Sequence, residues 1–477
     1  MTERNAGMTR RNWLGGAAAS AGLLALPGTA AAAAAGRTRR IAPSDRVNLA
    51  VIGAGGMGSQ NMAKLTSQNI VALADVDFDH VAKSMVDSNG ALRADRLALK
   101  TAYDRATRFA DYRRMLDARK DIDAVVIATP DHHHAFAAKM AMERGLHVYV
   151  QKPLTYSVRE GRTLLDLARR NPKLVTQMGN QGHSGDDGRR VVELIRGGAI
   201  GRVRDVHVWT NRPVWPQGEA RPAPVAKPAS LDWNLWLGPA AVDWGYHPDY
   251  AHFNWRGWVP FGVGALGDMG AHLIDFPVWA LEPGLPTRIE TRHSRWGGDT
   301  DLWDGKPPVE LGSYPLASMT TYRFGNAKGG PLTMTWYDGG MMPPTPDTMP
   351  VDAVMNPEGG VLYVGESGML MHDTYGEKPV LIGEGAQARA AAVPVSLPRI
   401  QGGRDGHEMN WIRAIRGEEA ISSPFSVAVP LNETMVLGMV ALRAERPIDY
   451  DGQAGRVTNF ADANRFLDRE YRKGWSL

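Results

Sequence analysis

The chain of 477 residues contains no cysteine. That absence removes disulfides, thiolate metal sites and cysteine nucleophiles together. It also leaves the fold indifferent to the redox state of its compartment. No block of like charge stands out: 54 Lys and Arg against 51 Asp and Glu leave a formal charge of +3. Neither nucleic acid nor a membrane surface is therefore expected as the main partner. Beyond the N-terminal region, no stretch reads as apolar enough for a transmembrane helix, so the mature protein is expected to be soluble. Hydrophobic content of 43% and charged content of 22% are ordinary for a globular chain.

The N-terminus reads as a separate object. Thr9-Arg10-Arg11-Asn12-Trp13-Leu14 matches the twin-arginine export pattern. An apolar stretch rich in Ala and Gly follows, from Leu14 to Leu26. An alanine run, Ala30 to Ala35, then offers small-residue cleavage sites. Residues 1–36 are thus expected to be a removable signal, too short in its apolar part to span a bilayer. The implied partner during export is the twin-arginine translocase, and the implied location is the periplasm or otherwise outside the cytoplasm.

From Val47 onward, apolar strand-like runs alternate with helical patterns: Val47–Ile52, Ile70–Ala74, Asp123–Ala128, Leu146–Val150 and Leu174–Gln177. The spacing predicts helices to Leu65, over Ala135–Arg144 and from a Ser157 cap to Arg170. This alternation predicts a doubly wound parallel sheet over residues 37–180. After Asn180 the texture changes. A helix near Gly188–Arg196 leads into strands of alternating pattern: Val203–Asn211, Thr287–Arg295, Met319–Phe324, Leu332–Tyr337, Val361–Val364 and Met369–His372. No crossover helices separate them, so residues 181–477 are expected to form an α+β domain with a mostly antiparallel sheet. Two late helices, His407–Arg416 and Leu431–Arg443, are expected to pack against that sheet.

Gly53-Ala54-Gly55-Gly56-Met57-Gly58 sits between a strand and a helix, as a dinucleotide-binding turn requires. Gly53 permits the tight turn, Gly55 admits a pyrophosphate to the helix N-terminus, and Gly58 lets helix and strand pack closely. The second strand ends in Asp75, 22 residues after Gly53. A carboxylate there accepts from both ribose hydroxyls and repels a 2′-phosphate, which favours NAD over NADP. Thr129 and Pro130 end the next strand at the same edge and are expected to line the nicotinamide ribose. The run Asp131-His132-His133-His134 suggests a metal site, but consecutive residues do not converge on one point. No metal is expected, and His134 is taken to lie near the ribose.

Gln151-Lys152-Pro153 follows another strand, so Lys152 is expected to reach the same crevice. A lysine beside a positively charged nicotinamide gives up its proton more readily and can assist proton loss from a hydroxyl. Asp268 and His272 are four apart, on one face of a predicted helix. A histidine paired with a carboxylate makes a general base at neutral pH. The bland alternative is a capped helix with a buried histidine.

Together the GAGGMG turn with Asp75, the ATPDHHHA and QKPL segments and the GDMGAHLID segment resemble the Gfo/Idh/MocA family. The resemblance covers essentially the whole mature chain and is similar to its exported branch. It implies an N-terminal Rossmann domain followed by an α+β domain whose open sheet holds substrate and often builds homo-oligomers. It also implies that Lys152 is the catalytic lysine, and that Asp268 and His272 form the family's aspartate–histidine pair. One departure is that the family usually carries glutamate where this chain has Gln151.

Eleven of the 14 tryptophans lie between Trp209 and Trp336. Indole faces stack on sugar rings, so Trp209, Trp215, Trp255 and Trp258 are candidates for a substrate wall, with core packing as the bland alternative. His183, Arg212, His252 and Arg256 are polar candidates beside them. The expected function is oxidation or reduction of a sugar, sugar-derivative or polyol hydroxyl with NAD held tightly. The alternative is cleavage of a glycoside by transient oxidation with bound NAD. A non-catalytic exported sugar-binding protein is the third reading.

Overall fold

The computed structural model describes residues 42, 45–294, 312–325, 327 and 329–477. The export signal expected at 1–36, together with Trp296 and Trp303, lies outside the described residues.

The N-terminal half alternates as its pattern predicts. The elements are β1 (Asn48–Ile52), α1 (Gly56–Lys64), β2 (Asn69–Ala74), α2 (Phe78–Lys83), α3 (Leu97–Arg105), β3 (Thr107–Phe109) and α4 (Tyr112–Ala118). They continue with β4 (Ala124–Ile127), α5 (Asp131–Glu143), β5 (His147–Val150), α6 (Val158–Arg170) and β6 (Thr176–Met178). The strands form one sheet in the order β3-β2-β1-β4-β5-β6, with all pairs parallel. That is the doubly wound order of a Rossmann fold. Its strands are short apolar runs, β1 and β4 among them almost wholly buried, because helices cover both faces. The order reverses beside β1, so the loops after β1 and β4 part there and leave a crevice at the strand carboxyl ends.

The second half begins with α7 (Asp186–Arg196), β7 (Val203–Thr210), α8 (Trp233–Leu237), α9 (Gly264–Leu273) and α10 (Asp275–Leu281). Strands β8 (Arg288–His293), β9 (Ser318–Phe324), β10 (Leu332–Tyr337), β11 (Gly359–Gly365), β12 (Gly368–Asp373) and β13 (Val380–Ile382) follow. The chain closes with α11 (Ala386–Ala392), α12 (His407–Arg416), α13 (Phe425–Ala444), β14 (Ile448–Asp451) and β15 (Arg456–Val457). The nine-stranded sheet runs β13-β12-β11-β7-β10-β9-β8-β14-β15. Its pairs are antiparallel except β7 with β10.

Four expectations change. Helix α5 starts at Asp131 rather than Ala135, so all three histidines of the run belong to its first turn. Helix α13 starts at Phe425 and carries Pro430 inside it. This helix is also long and apolar enough to cross a membrane by length and composition, contrary to the expectation, but most of it is buried inside the protein against α6, α9 and β8. Helix α12 does not cover the second sheet. Its Trp411 and Ile412 pack with Val47, Leu49, Val126 and Tyr149 of the Rossmann sheet. An amphipathic stripe announces that a helix face is buried, but not which sheet receives it.

Candidate functional site

A cleft of about 380 Å³ opens where β1, β2, β4 and β5 end. Gly53, Gly55, Gly56, Met57, Asp75, Thr129, Pro130, Gln151, Lys152 and Arg256 line it. The glycine turn is shaped by contact. Gly53 has φ +78°, and a Cβ there would sit 2.7 Å from the Ala128 carbonyl oxygen. A Cβ on Gly58 would overlap the Gly53 carbonyl oxygen, so the start of α1 can press against the strand only without a side chain. Helix α1 has no acidic residue in its first turn, and its free N–H groups open an anion-binding end onto the cleft.

Asp75 braces this turn. Its Oδ2 accepts from the N–H of Ala54 at 2.8 Å and of Gly55 at 3.2 Å, and its Oδ1 accepts from Asp77 N–H at 2.9 Å. Burial outweighs these donors and pushes the carboxyl up from its ordinary value. Further hydroxyl donors from a ribose would relieve that cost. The buried Thr129 hydroxyl, also in the cleft wall, has no partner. A glycine turn that a side chain would fill, a helix N-terminus without acid and an orphaned hydroxyl at the strand edge fit a dinucleotide.

Lys152 and α9 build the other end. The Lys152 ammonium donates to Asp268 Oδ1 at 2.7 Å and to the Asp268 backbone oxygen at 2.9 Å. Arg256 Nε donates to the same Oδ1 at 3.2 Å. Burial alone would raise the Asp268 carboxyl, but Lys152 and Arg256 override it and hold it well below the usual carboxylate range. His272 follows one turn on and is buried, with its Nδ1 unpartnered. Burial first, and the Lys152 charge second, lower its pKa to about 3. The imidazole is therefore neutral at physiological pH. No hydrogen bond joins Asp268 to His272, and both cations donate to Asp268 Oδ1.

Other expectations are redirected. His134 does not line the cleft: its Nδ1 faces the Pro153 carbonyl at 2.8 Å and its Nε2 the Thr129 carbonyl at 2.9 Å. It ties two strand ends together beneath the cleft, and His133 is the histidine in the wall. His183 is buried, paired through Nδ1 with Asp275 at 3.0 Å and stacked on Trp279. Trp258 is fully buried in an aromatic cluster with Trp236, Tyr250 and Phe261, its indole N–H donating to the Asp249 carbonyl. Neither residue is available to a substrate. Trp209 and Trp215 are likewise buried. Trp255 stays in the wall, with the Arg256 guanidinium 4.2 Å from its ring centre. Arg212 donates to its neighbour Asn211.

Several partnerships at and near the cleft escape a sequence reading. His252 Nε2 lies 3.0 Å from Asp77 Oδ2, and its ring stacks on His80 at 3.8 Å. Trp475, near the C-terminus, reaches the cleft beside Tyr112. Buried Asp131 accepts from Val263 N–H at 3.0 Å and leaves its other oxygen unpartnered. Its pKa is raised to about 8, chiefly by burial, despite Arg256 and Lys152 nearby. None of these pairs is signalled locally, since each joins segments far apart in the chain.

Residues 47–178 match the family described as "Oxidoreductase family, NAD-binding Rossmann fold", and residues 199–290 match its "C-terminal alpha/beta domain". These two matches support membership of the Gfo/Idh/MocA oxidoreductase family. Its cofactor is accordingly NAD. Among similar proteins, inositol 2-dehydrogenase 1 of Mycolicibacterium vanbaalenii is 33% identical over 36% of this chain and 46% of the relative. Levoglucosan dehydrogenase of Pseudarthrobacter phenanthrenivorans is 27% identical over 54% of this chain and 59% of the relative. A glycosyl hydrolase family 109 protein of Shewanella pealeana is 32% identical over 33% and 34%. The chain thus spans from 34% to 59% of the length of these curated relatives. In fold it resembles the WlbA dehydrogenase of Bordetella pertussis, with TM-score 0.55 and 15% identity over 85% of this chain and 99% of that one.

Proposed function

We propose that this protein is an NAD-dependent dehydrogenase acting on a hydroxyl of a sugar, sugar derivative or polyol. The observation that carries the reading is that Lys152, which lines the nucleotide cleft, pairs with Asp268, one helical turn before His272. NAD bound there supplies a two-electron hydride acceptor. The remaining work is proton handling. When the C–H hydrogen leaves as hydride, the O–H proton must leave with it for charge to balance. Lys152 Nζ can donate to the hydroxyl oxygen and steady its developing charge, and His272 can accept the proton if bound substrate and cofactor raise its pKa from about 3. Asp268 holds Lys152 in place through two hydrogen bonds, and Arg256 shares the carboxylate. Similarity to inositol and levoglucosan dehydrogenases supports this substrate class.

A second reading, glycoside cleavage through transient oxidation, is favoured by the similarity to family 109 glycosyl hydrolases. The twin-arginine pattern adds that the protein leaves the cytoplasm folded, with tightly held NAD already in place. A homo-oligomer completes the proposal. One experiment separates the two chemistries. The purified protein is assayed for bound nucleotide, then mixed with a panel of sugars and glycosides while cofactor absorbance and product release are followed. Lasting reduction of the cofactor supports the dehydrogenase. Bond cleavage with the cofactor returned to its starting state supports the second reading. A protein that takes up no dinucleotide and changes none of the panel defeats both.

A further inference from the structure

Gln151 lines the cleft, and its amide is the first link of a buried chain. Its Nε2 donates to Asn61 Oδ1 of α1 at 3.0 Å, and Asn61 Nδ2 donates to Glu408 Oε1 of α12 at 2.8 Å. Gln151, Asn61 and Glu408 are all buried. A Cβ on Gly179 would lie 2.9 Å from both Gln151 amide heteroatoms, so the amide is packed closely from above.

Direction in such a chain is set at its end. Burial raises the Glu408 pKa, and the Asn61 bond works against that rise; as an ionised carboxylate Glu408 only accepts, so Asn61 turns its NH₂ to Glu408 and its oxygen to Gln151. Gln151 must then give its NH₂ to Asn61. Its Oε1 is left as the acceptor end, with only a long 3.4 Å bond from Lys152 N–H. Without the carboxylate both amides are free to reverse, and Gln151 would offer a donor instead.

We propose that Glu408 is a positioning residue that fixes the direction of the Asn61 and Gln151 amides, so that Gln151 presents an acceptor oxygen to a hydroxyl of the bound nucleotide. Gln151 then behaves toward the nucleotide as a carboxylate at that position would, with the charge moved two hydrogen bonds away onto α12. The inference rests on NAD occupying the cleft.

The test is a titration of the full-length protein with NADH, followed by cofactor fluorescence, with folding checked by circular dichroism. If the wild type binds no NADH, the nucleotide reading itself fails. Glu408→Gln removes the end that sets direction and should weaken NADH about five- to tenfold, the worth of one hydrogen bond. The swap Gln151→Glu with Glu408→Gln should restore binding to within about threefold of wild type, because the chain runs in reverse yet still offers the cleft an acceptor. A merely structural role for Glu408 predicts no such rescue. The proposal is overturned if Glu408→Gln binds NADH like wild type, or if the swap binds no better than Glu408→Gln. Should Glu408→Gln fail to fold, the swap decides alone: wild-type binding supports the proposal, weak binding overturns it. A swap that also fails to fold overturns it too, since restored direction is all that it requires.

Discussion

Replacing Asp75 by asparagine changes one oxygen to an NH₂ and leaves the shape alone. In the structure Oδ2 holds Ala54 and Gly55 N–H at 2.8 and 3.2 Å, and Oδ1 holds Asp77 N–H at 2.9 Å. Asparagine can serve one side only. Turned to keep the glycine brace, it sets NH₂ against the Asp77 N–H and strands that donor. A stranded buried donor costs about 1–3 kcal/mol, and the lower end applies at this partly exposed position. For a chain of this size, about 1 kcal/mol lowers Tm by roughly 1–2 °C. The larger effect falls on the nucleotide. A hydrogen bond to a charged acceptor is worth about 1.5–3 kcal/mol, and roughly half of that survives with a neutral one. NADH should therefore bind about tenfold more weakly. For NADPH the repulsion of the 2′-phosphate disappears in the same variant. Parallel fluorescence titrations should show the ratio of the NADPH to the NADH Kd falling by at least about tenfold. A ratio that stays put while both affinities drop together would mean that Asp75 only braces the turn. A wild type that prefers NADPH would refute the reasoning at its root.

The other predictions bear on the chemistry and on the frame. Lys152→Met removes both bonds to Asp268 and should lower turnover by about 10²–10⁴-fold while NADH still binds; undiminished turnover would take Lys152 out of the chemistry. His272→Asn should lose turnover similarly. Because the wild-type imidazole has its pKa near 3, the pH profile of kcat/KM should show no inflection from His272 in the ordinary histidine range, and an inflection there that vanishes in His272→Asn would contradict the burial argument. Gly58→Ala drives a methyl into the Gly53 carbonyl; it should cost about 1–3 kcal/mol of stability and abolish saturable NADH binding, and a normal titration would show that the turn yields. Asp131 has its pKa raised from 3.8 to about 8, so the folded state holds that proton more tightly than the unfolded chain. Its contribution is complete below about pH 4 and is lost as pH rises through about 8. Asp131→Asn cannot ionise, so its Tm relative to wild type should climb across that window, and a difference independent of pH would exclude the assignment.

The Rossmann half was legible because each strand is a short apolar run that ends in a residue with a distinct task. Once β1, β2, β4 and β5 are parallel neighbours, Gly53, Asp75, Thr129 and Gln151 must gather at one edge. No knowledge of side-chain packing is needed for that step. The second sheet was legible as strands, but its order was not. The parallel pairing of β7 with β10 depends on where long loops travel, and alternation of side chains does not record it.

Residues picked out by type rather than by position fared differently. His134, His183 and Trp258 suggest chemistry wherever they occur, yet each is buried with its polar atoms spent on carbonyls or on Asp275. The reason is general: a polar group that leaves water must find a partner. In an interior this large, many histidines and tryptophans serve to satisfy backbone at irregular junctions. Lys152 differs because it lines the cleft and, like its partner Asp268, keeps some exposure. Gln151 shows the limit of local reading most sharply. Its replacement of a glutamate is visible in four letters, but the carboxylate that orders its amide stands on Glu408, and the Asn61–Glu408 link crosses 347 positions. A departure from a family motif therefore says what a position has lost. Only the folded neighbourhood shows whether another residue has taken over the task.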